Sequence, residues 1–132
     1  MIKEHLPGPK TPENMPPITI YHNARCGKSR GALEILQAQN MPHQVRLYLT
    51  DPLTKKELKT LLKKLNMQPS ELVRKNESIY KELFSQREYS EKEWLDILVK
   101  NPVLIERPIV EFEGTAIIAR PPECLFEIIP NS

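Results

Sequence analysis

Histidine, cysteine, arginine and lysine crowd into one stretch of this chain, His22-Asn23-Ala24-Arg25-Cys26-Gly27-Lys28-Ser29-Arg30. A thiol attacks as its thiolate, and neighbouring cations or a helix N-terminus favour that form. Lowering a thiol from about 8.5 by two pKa units takes only ~2.7 kcal/mol of preference for the anion. Arg25, Lys28 and Arg30 therefore suit a Cys26 thiolate, or an oxyanion brought to it. A structural cysteine in a cationic surface turn is the plainer alternative. Cys26-Gly27-Lys28-Ser29 is a C-x-x-S arrangement. With no neighbouring thiol to resolve an intermediate, it favours an external one such as glutathione.

Other residues with chemical capacity lie far down the chain. Arg107-Pro108 and Arg120-Pro121 repeat one local setting. A residue before proline is pushed to extended geometry, which leaves both arginines at strand edges or loops, free to converge. The planar guanidinium fork suits a tetrahedral oxyanion better than an ammonium does. Phosphatases of the C-x5-R type are disfavoured, because Ala32 stands where their arginine would be. His5, His22 and His43, with the distant Cys26 and Cys124, give no ligand pair at zinc-site spacing, so no metal is expected. Cys124 sits among apolar residues and is expected to be a packed core thiol.

These side chains need a scaffold, and the hydrophobic pattern supplies one. Ile18-Thr19-Ile20-Tyr21 alternates and is β-branched, so it predicts a strand. Residues 31–39 favour a helix, which places Cys26 at or beside its N-terminus. Asn40-Met41-Pro42 stops that helix, and residues 44–49 alternate as a second strand, parallel to the first through a right-handed crossover. Thr54 with Glu57, and Ser90 with Glu93, are capping boxes. Leu53 with Leu58, and Tyr89 with Trp94, are the matching hydrophobic staples. Leu58, Leu61, Leu62 and Leu65 recur at helical spacing. The second of these helices closes at Lys100-Asn101-Pro102, with Asn101 tolerating the left-handed region. Short helices are expected around residues 69–73 and 79–84, with Arg74 in a loop between them. Residues 109–112 and 115–119 flank a Glu113-Gly114 turn as a hairpin. A last helix opens at Pro121-Pro122, with Leu125, Phe126, Ile128 and Ile129 on its apolar face. The pattern is α/β: a mixed four-stranded sheet ordered β-α-β, helical insertion, β-β-α.

Length and composition set the outer bounds. The chain has 132 residues, enough for one domain with a real core. Residues 1–17 carry five prolines and few apolar side chains, so a disordered arm is expected there, with the domain spanning 18–132. A net charge of +2 is too small to argue for nucleic acid or a membrane surface. No run reaches eighteen apolar residues and the first residues have no apolar h-region, so neither a membrane span nor a secretory signal is expected. Two cysteines in a chain of this size fit a reducing, cytoplasmic setting.

The element order resembles a thioredoxin-like fold, in which the cysteine follows the first strand and a cis-proline precedes the third. Pro108 stands at that place. Residues 18–30, Leu72-Val73-Arg74-Lys75-Asn76, Glu106-Arg107-Pro108-Ile109-Val110 and Ala119-Arg120-Pro121-Pro122-Glu123 resemble the glutaredoxin-coupled arsenate reductase (ArsC) family. The likeness runs from residue 18 to about 129. Ala24 replaces a proline usual in the family. With Arg25 and the doubled proline after Arg120, this resembles the chromosomal, arsenate-reductase-like branch.

The resemblance implies an arsenate reductase or a similar thiol oxidoreductase. Cys26 would attack arsenate or a similar oxyanion to give a thiol-arsenate adduct. Arg74, Arg107 and Arg120 would hold the oxyanion and stabilise the reduced product, and His22 would tune the thiolate. Arg25, Arg30, Ser29 and Pro108 would be accessory. Glutathione would then attack as co-substrate, arsenite leave, and glutaredoxin reduce the mixed disulfide. No bound cofactor is expected, and a monomer is compatible with the small size. A different class stays open: thioredoxin-like relatives that bind RNA polymerase and use a C-x-x-C pair as a redox switch. Ser29 argues against that switch here, leaving a non-catalytic redox-regulatory or partner-binding protein as the alternative.

Overall fold

In the computed structural model, residues 18–127 are described. The expected arm at 1–17, and Ile128 and Ile129 of the expected last helix, lie outside the described residues. Ile18–Tyr21 forms strand β1, Gly27–Ala38 helix α1 and His43–Arg46 strand β2. Helices α2 (Lys55–Leu65) and α3 (Glu91–Lys100) follow, then the hairpin β3 (Ile109–Phe112) and β4 (Thr115–Ile118). The sheet order is β2-β1-β3-β4, with β1 parallel to β2 and antiparallel to β3. This is the expected mixed four-stranded α/β sheet of thioredoxin-like type.

Alternation along the strands divides the core in two. Ile18 and Ile20 of β1 and Val110 and Phe112 of β3 join Ala32 and Leu36 of α1 and Leu125 on one face. Tyr21, Ile109 and Ala116 point the other way, onto Leu58, Leu61 and Leu62 of α2 and Trp94, Leu95 and Leu98 of α3. Full burial stabilises each such leucine by about 1.5–3 kcal/mol. Glu113 (φ 51°) and Gly114 (φ 81°) turn the hairpin with two left-handed residues, as a tight two-residue loop requires. On the α1 face, a Cβ at Gly31 would come 3.0 Å from Pro122 Cγ, so helix and final segment meet at a glycine.

Four expectations change. β2 ends at Arg46 although alternation continues to Leu49, because its partner β1 ends at Tyr21, opposite Arg46. Among the described residues the last helix is a 3-10 segment, Pro122–Glu127. Its Phe126 is 44% exposed, and Cys124 is half-buried, outside both apolar clusters. In the insertion the two expected short helices do form, Pro69–Leu72 as a 3-10 turn and Tyr80–Phe84 as a π-helical turn. Asn101 closes α3 at φ −132°, not left-handed; its Nδ2 donates to the Ile97 carbonyl instead. Both capping boxes form, and Tyr89 packs on Trp94 with ring centroids 4.9 Å apart. No helix among the described residues is long and apolar enough to cross a membrane.

Candidate active site

The register of the sheet decides what meets Cys26. Tyr21 pairs with Arg46 across the parallel strands and with Ile109 across the antiparallel ones. The loop leaving β1 therefore lies between the turn after β2, which carries Tyr48, and the approach to β3, which carries Arg107 and Pro108. Loops at the carboxyl ends of parallel strands are where α/β sheets build sites.

Cys26 is the N-cap of α1, with φ −99° and ψ 121°. Its side chain makes no capping hydrogen bond, and the first turn contains no acidic residue. An α-helix start carries about half a positive charge on its unspent N–H groups. The loop before it is braced from within. Buried Ser29 accepts the Asn23 N–H at 3.3 Å, and Asn23 Oδ1 accepts the Arg25 N–H at 3.0 Å. Arg30 folds back to donate to the Ala24 carbonyl at 3.0 Å. Arg25 is exposed.

His22 is buried, with 6% of its surface exposed, and its Nδ1 lacks a hydrogen-bond partner among the described residues. Burial pushes its pKa down, and the charge of Arg30 adds to that. The imidazole is accordingly neutral at pH 7.

The three distant arginines do gather. A single bridge, Val73 to Ile105, is flanked by Arg74 N–H to the Leu104 carbonyl (2.7 Å) and Glu106 N–H to the Leu72 carbonyl (2.9 Å). It sets Arg74 beside the approach to β3. The hairpin returns Arg120 to the same place, with Ala119 N–H on the Pro108 carbonyl at 2.9 Å. Arg120 and Arg107 both face the Glu106 carboxylate, at 3.1 and 3.7 Å. Arg74 pairs with Glu77 at 2.7 Å and donates to the Val103 carbonyl at 3.3 Å. Burial, then the charge of Arg107, pulls the Arg74 pKa down, while Glu77, Tyr48 and Glu106 oppose that. Among the described residues the buried Arg107 Nε has no acceptor, a state that costs about 1–3 kcal/mol. The Arg107-Pro108 and Arg120-Pro121 peptide bonds are both cis; sequence singled out Pro108 alone.

Three neighbours escaped sequence reasoning. Glu77 and Glu106 hold the arginines, and their positions carry no periodic signal. Tyr48 is 1% exposed and lies among Arg107, Arg74 and Cys26. Its signal was available: it follows a strand parallel to the one that leads into Cys26.

A cysteine at the start of the first helix, a cis-proline before the third strand and convergent arginines define a thioredoxin-like thiol protein with a cationic site. The chain belongs to the ArsC family, whose model matches residues 21–128. It is 44% identical to the uncharacterized protein YfgD of Escherichia coli strain K12, over 85% of this chain and 96% of that one. It is 37% identical to an arsenate reductase of Neisseria meningitidis, over 83% of this chain and 95% of the relative. A solved arsenate reductase from Vibrio cholerae superposes with TM-score 0.82 at 37% identity, covering 88% of this chain and all of that one.

Proposed function

We propose that this chain is an arsenate reductase that uses Cys26 as its nucleophile. The observation that carries this is the pairing of a thiol on an uncapped helix start with buried Arg107, whose Nε is unspent. Family membership and the relatives' named activity support the choice of substrate. A thiolate and an arsenate anion repel each other, so a productive encounter needs fixed donors aimed at the oxygens. Arg74, Arg107 and Arg120 are those donors, and the oxyanion displaces Glu106 from Arg107 and Arg120 and Glu77 from Arg74. Arg30 and Ser29 keep the loop in shape, and neutral His22 packs behind it, positioning the thiolate.

The chemistry balances as follows. The Cys26 thiolate displaces one arsenate oxygen as water, giving a sulfur–arsenic(V) bond. A glutathione thiolate then attacks the Cys26 sulfur. The sulfur–arsenic pair leaves with arsenic as arsenite, and a Cys26–glutathione disulfide forms. Two sulfurs each give up one electron, and arsenic gains two. Because Ser29 occupies the position of a resolving cysteine, a second external dithiol of glutaredoxin type returns Cys26 to the thiolate. A reducing cytoplasm supplies both thiols, and one chain contains every residue required.

The test is arsenate-dependent NADPH oxidation coupled through glutathione reductase, glutathione and glutaredoxin. Wild type turns over and Cys26→Ser does not. Turnover that survives in Cys26→Ser, or none in wild type, overturns the proposal; no wild-type turnover is what a partner-binding protein would give.

A further inference from the structure

Tyr48 sits in the turn after β2 with its ring in the apolar cluster beneath the sheet. Its hydroxyl is treated differently from its ring. Among the described residues no partner meets full hydrogen-bond geometry at its oxygen, although the Asn23 side chain is close enough to pull its pKa down. The groups around it are Arg107, Arg74 and Cys26. Burial pushes its pKa up to about 12, so at neutral pH the phenol keeps its proton and is available as a donor. Among the described residues a buried hydroxyl and a buried guanidinium Nε are both without an acceptor, and the charge of Arg107 is felt at Tyr48. An anion with several oxygens offers each donor an acceptor of its own.

We propose that Tyr48 Oη donates a hydrogen bond to an oxygen of the oxyanion held at Cys26 by Arg74, Arg107 and Arg120. Tyr48 is then an uncharged fourth donor of the binding site. This rests on the oxyanion-reductase reading of that site and adds a contact to it. The donor adds no charge, so it fixes the orientation of the tetrahedron without strengthening the field on the thiolate. Orientation matters because the sulfur must approach opposite the departing oxygen.

The decisive variant is Tyr48→Phe, which deletes the hydroxyl and keeps the ring. Protection of Cys26 from iodoacetamide by arsenate reads binding separately from turnover. The arsenate concentration giving half protection rises about tenfold, the equivalent of about 1.4 kcal/mol. The alkylation rate without arsenate, and its pH profile, stay at wild-type values. In the coupled assay KM rises by a similar factor. Unchanged half protection in Tyr48→Phe overturns the inference while leaving the reductase reading intact. A shifted pH profile with unchanged protection also overturns it, by placing the hydroxyl on the sulfur. Wild type that is neither protected nor active overturns both. Should Tyr48→Phe not fold, Cys26→Ser labelled at tyrosine Cζ replaces it. Titration with arsenate shifts the Tyr48 resonance if the inference holds and leaves it in place if it does not.

Discussion

The starts of α2 and α3 and the start of α1 treat the same backbone chemistry in opposite ways. At α2, Thr54 Oγ1 accepts the Glu57 N–H at 3.1 Å, and Glu57 Oε1 accepts the Thr54 N–H at 2.9 Å. At α3, Ser90 and Glu93 do the same at 3.1 and 2.8 Å. At α1 a cysteine stands at the cap without a capping bond, and no acid follows. Forgoing such a cap costs about 0.5–2 kcal/mol. The arginines show the same division. Arg46 spends its fork on both oxygens of Glu57 and on the carbonyls of Asp51 and Pro52. That fork, with the Thr54 N–H, holds the Glu57 carboxyl down at about 2. Arg107 keeps its Nε unspent and stands 3.7 Å from Glu106. The insertion and the end of β2 beside it close their donors on each other, and the end of the sheet near Cys26 holds them ready for something else.

The contrast breaks most visibly at the two arginines. Arg107→Ala is expected to lower kcat/KM for arsenate by about 100–1,000-fold, the usual loss for one donor aimed at a developing charge. Arg46→Ala is expected to leave kcat/KM within about threefold and to cost about 1.5–3 kcal/mol in urea unfolding, through its charged hydrogen bonds. The reverse pattern would remove the distinction between them.

A smaller effect sharpens the helix comparison. Gly27→Glu gives α1 the first-turn acid that α2 and α3 have, worth about 0.3–1 kcal/mol of stability. Among the described residues a Cβ at Gly27 meets the Arg30 guanidinium at 3.7 Å, an ordinary contact distance. The variant is expected to be more stable than wild type yet to alkylate more slowly at Cys26 and turn over about tenfold less, on the order of one pKa unit in effect. Gly27→Gln, which adds length without charge, separates the two causes. Smallest is Ser90→Ala. It should cost about 1 kcal/mol by urea midpoint and leave turnover unchanged. A loss of turnover there would show that the insertion does more than support the sheet.

The closed starts were legible in sequence because each is a local event, written within four or five residues. So was the hairpin, since Glu113-Gly114 has to supply two left-handed residues. The end of β2 was not, because alternation through Leu47, Tyr48 and Leu49 carries no record of where the neighbouring strand stops. Arg74 reaches the site through a single bridge between Val73 and Ile105, which leaves no period in the sequence. Resemblance to the family pointed to it, and spacing did not. Tyr48 looked like one more alternating strand residue; only the parallel register sets it beside Cys26. The half-buried Cys124 shows the opposite failure, since apolar neighbours in sequence do not guarantee a place in the core.

Gly31 touches none of the reacting groups, yet it acts as a gauge block between two halves of the site. Helix α1 begins at the thiol, and the segment that follows Arg120 begins at Pro122; the two rest on each other where Gly31 has no side chain. A single added methyl there would have to push one away from the other by a few tenths of an ångström. The reach from sulfur to guanidinium is thus set by a spacer of zero width. Variation at a position outside the chemistry would register as a change of calibre in the opening between them.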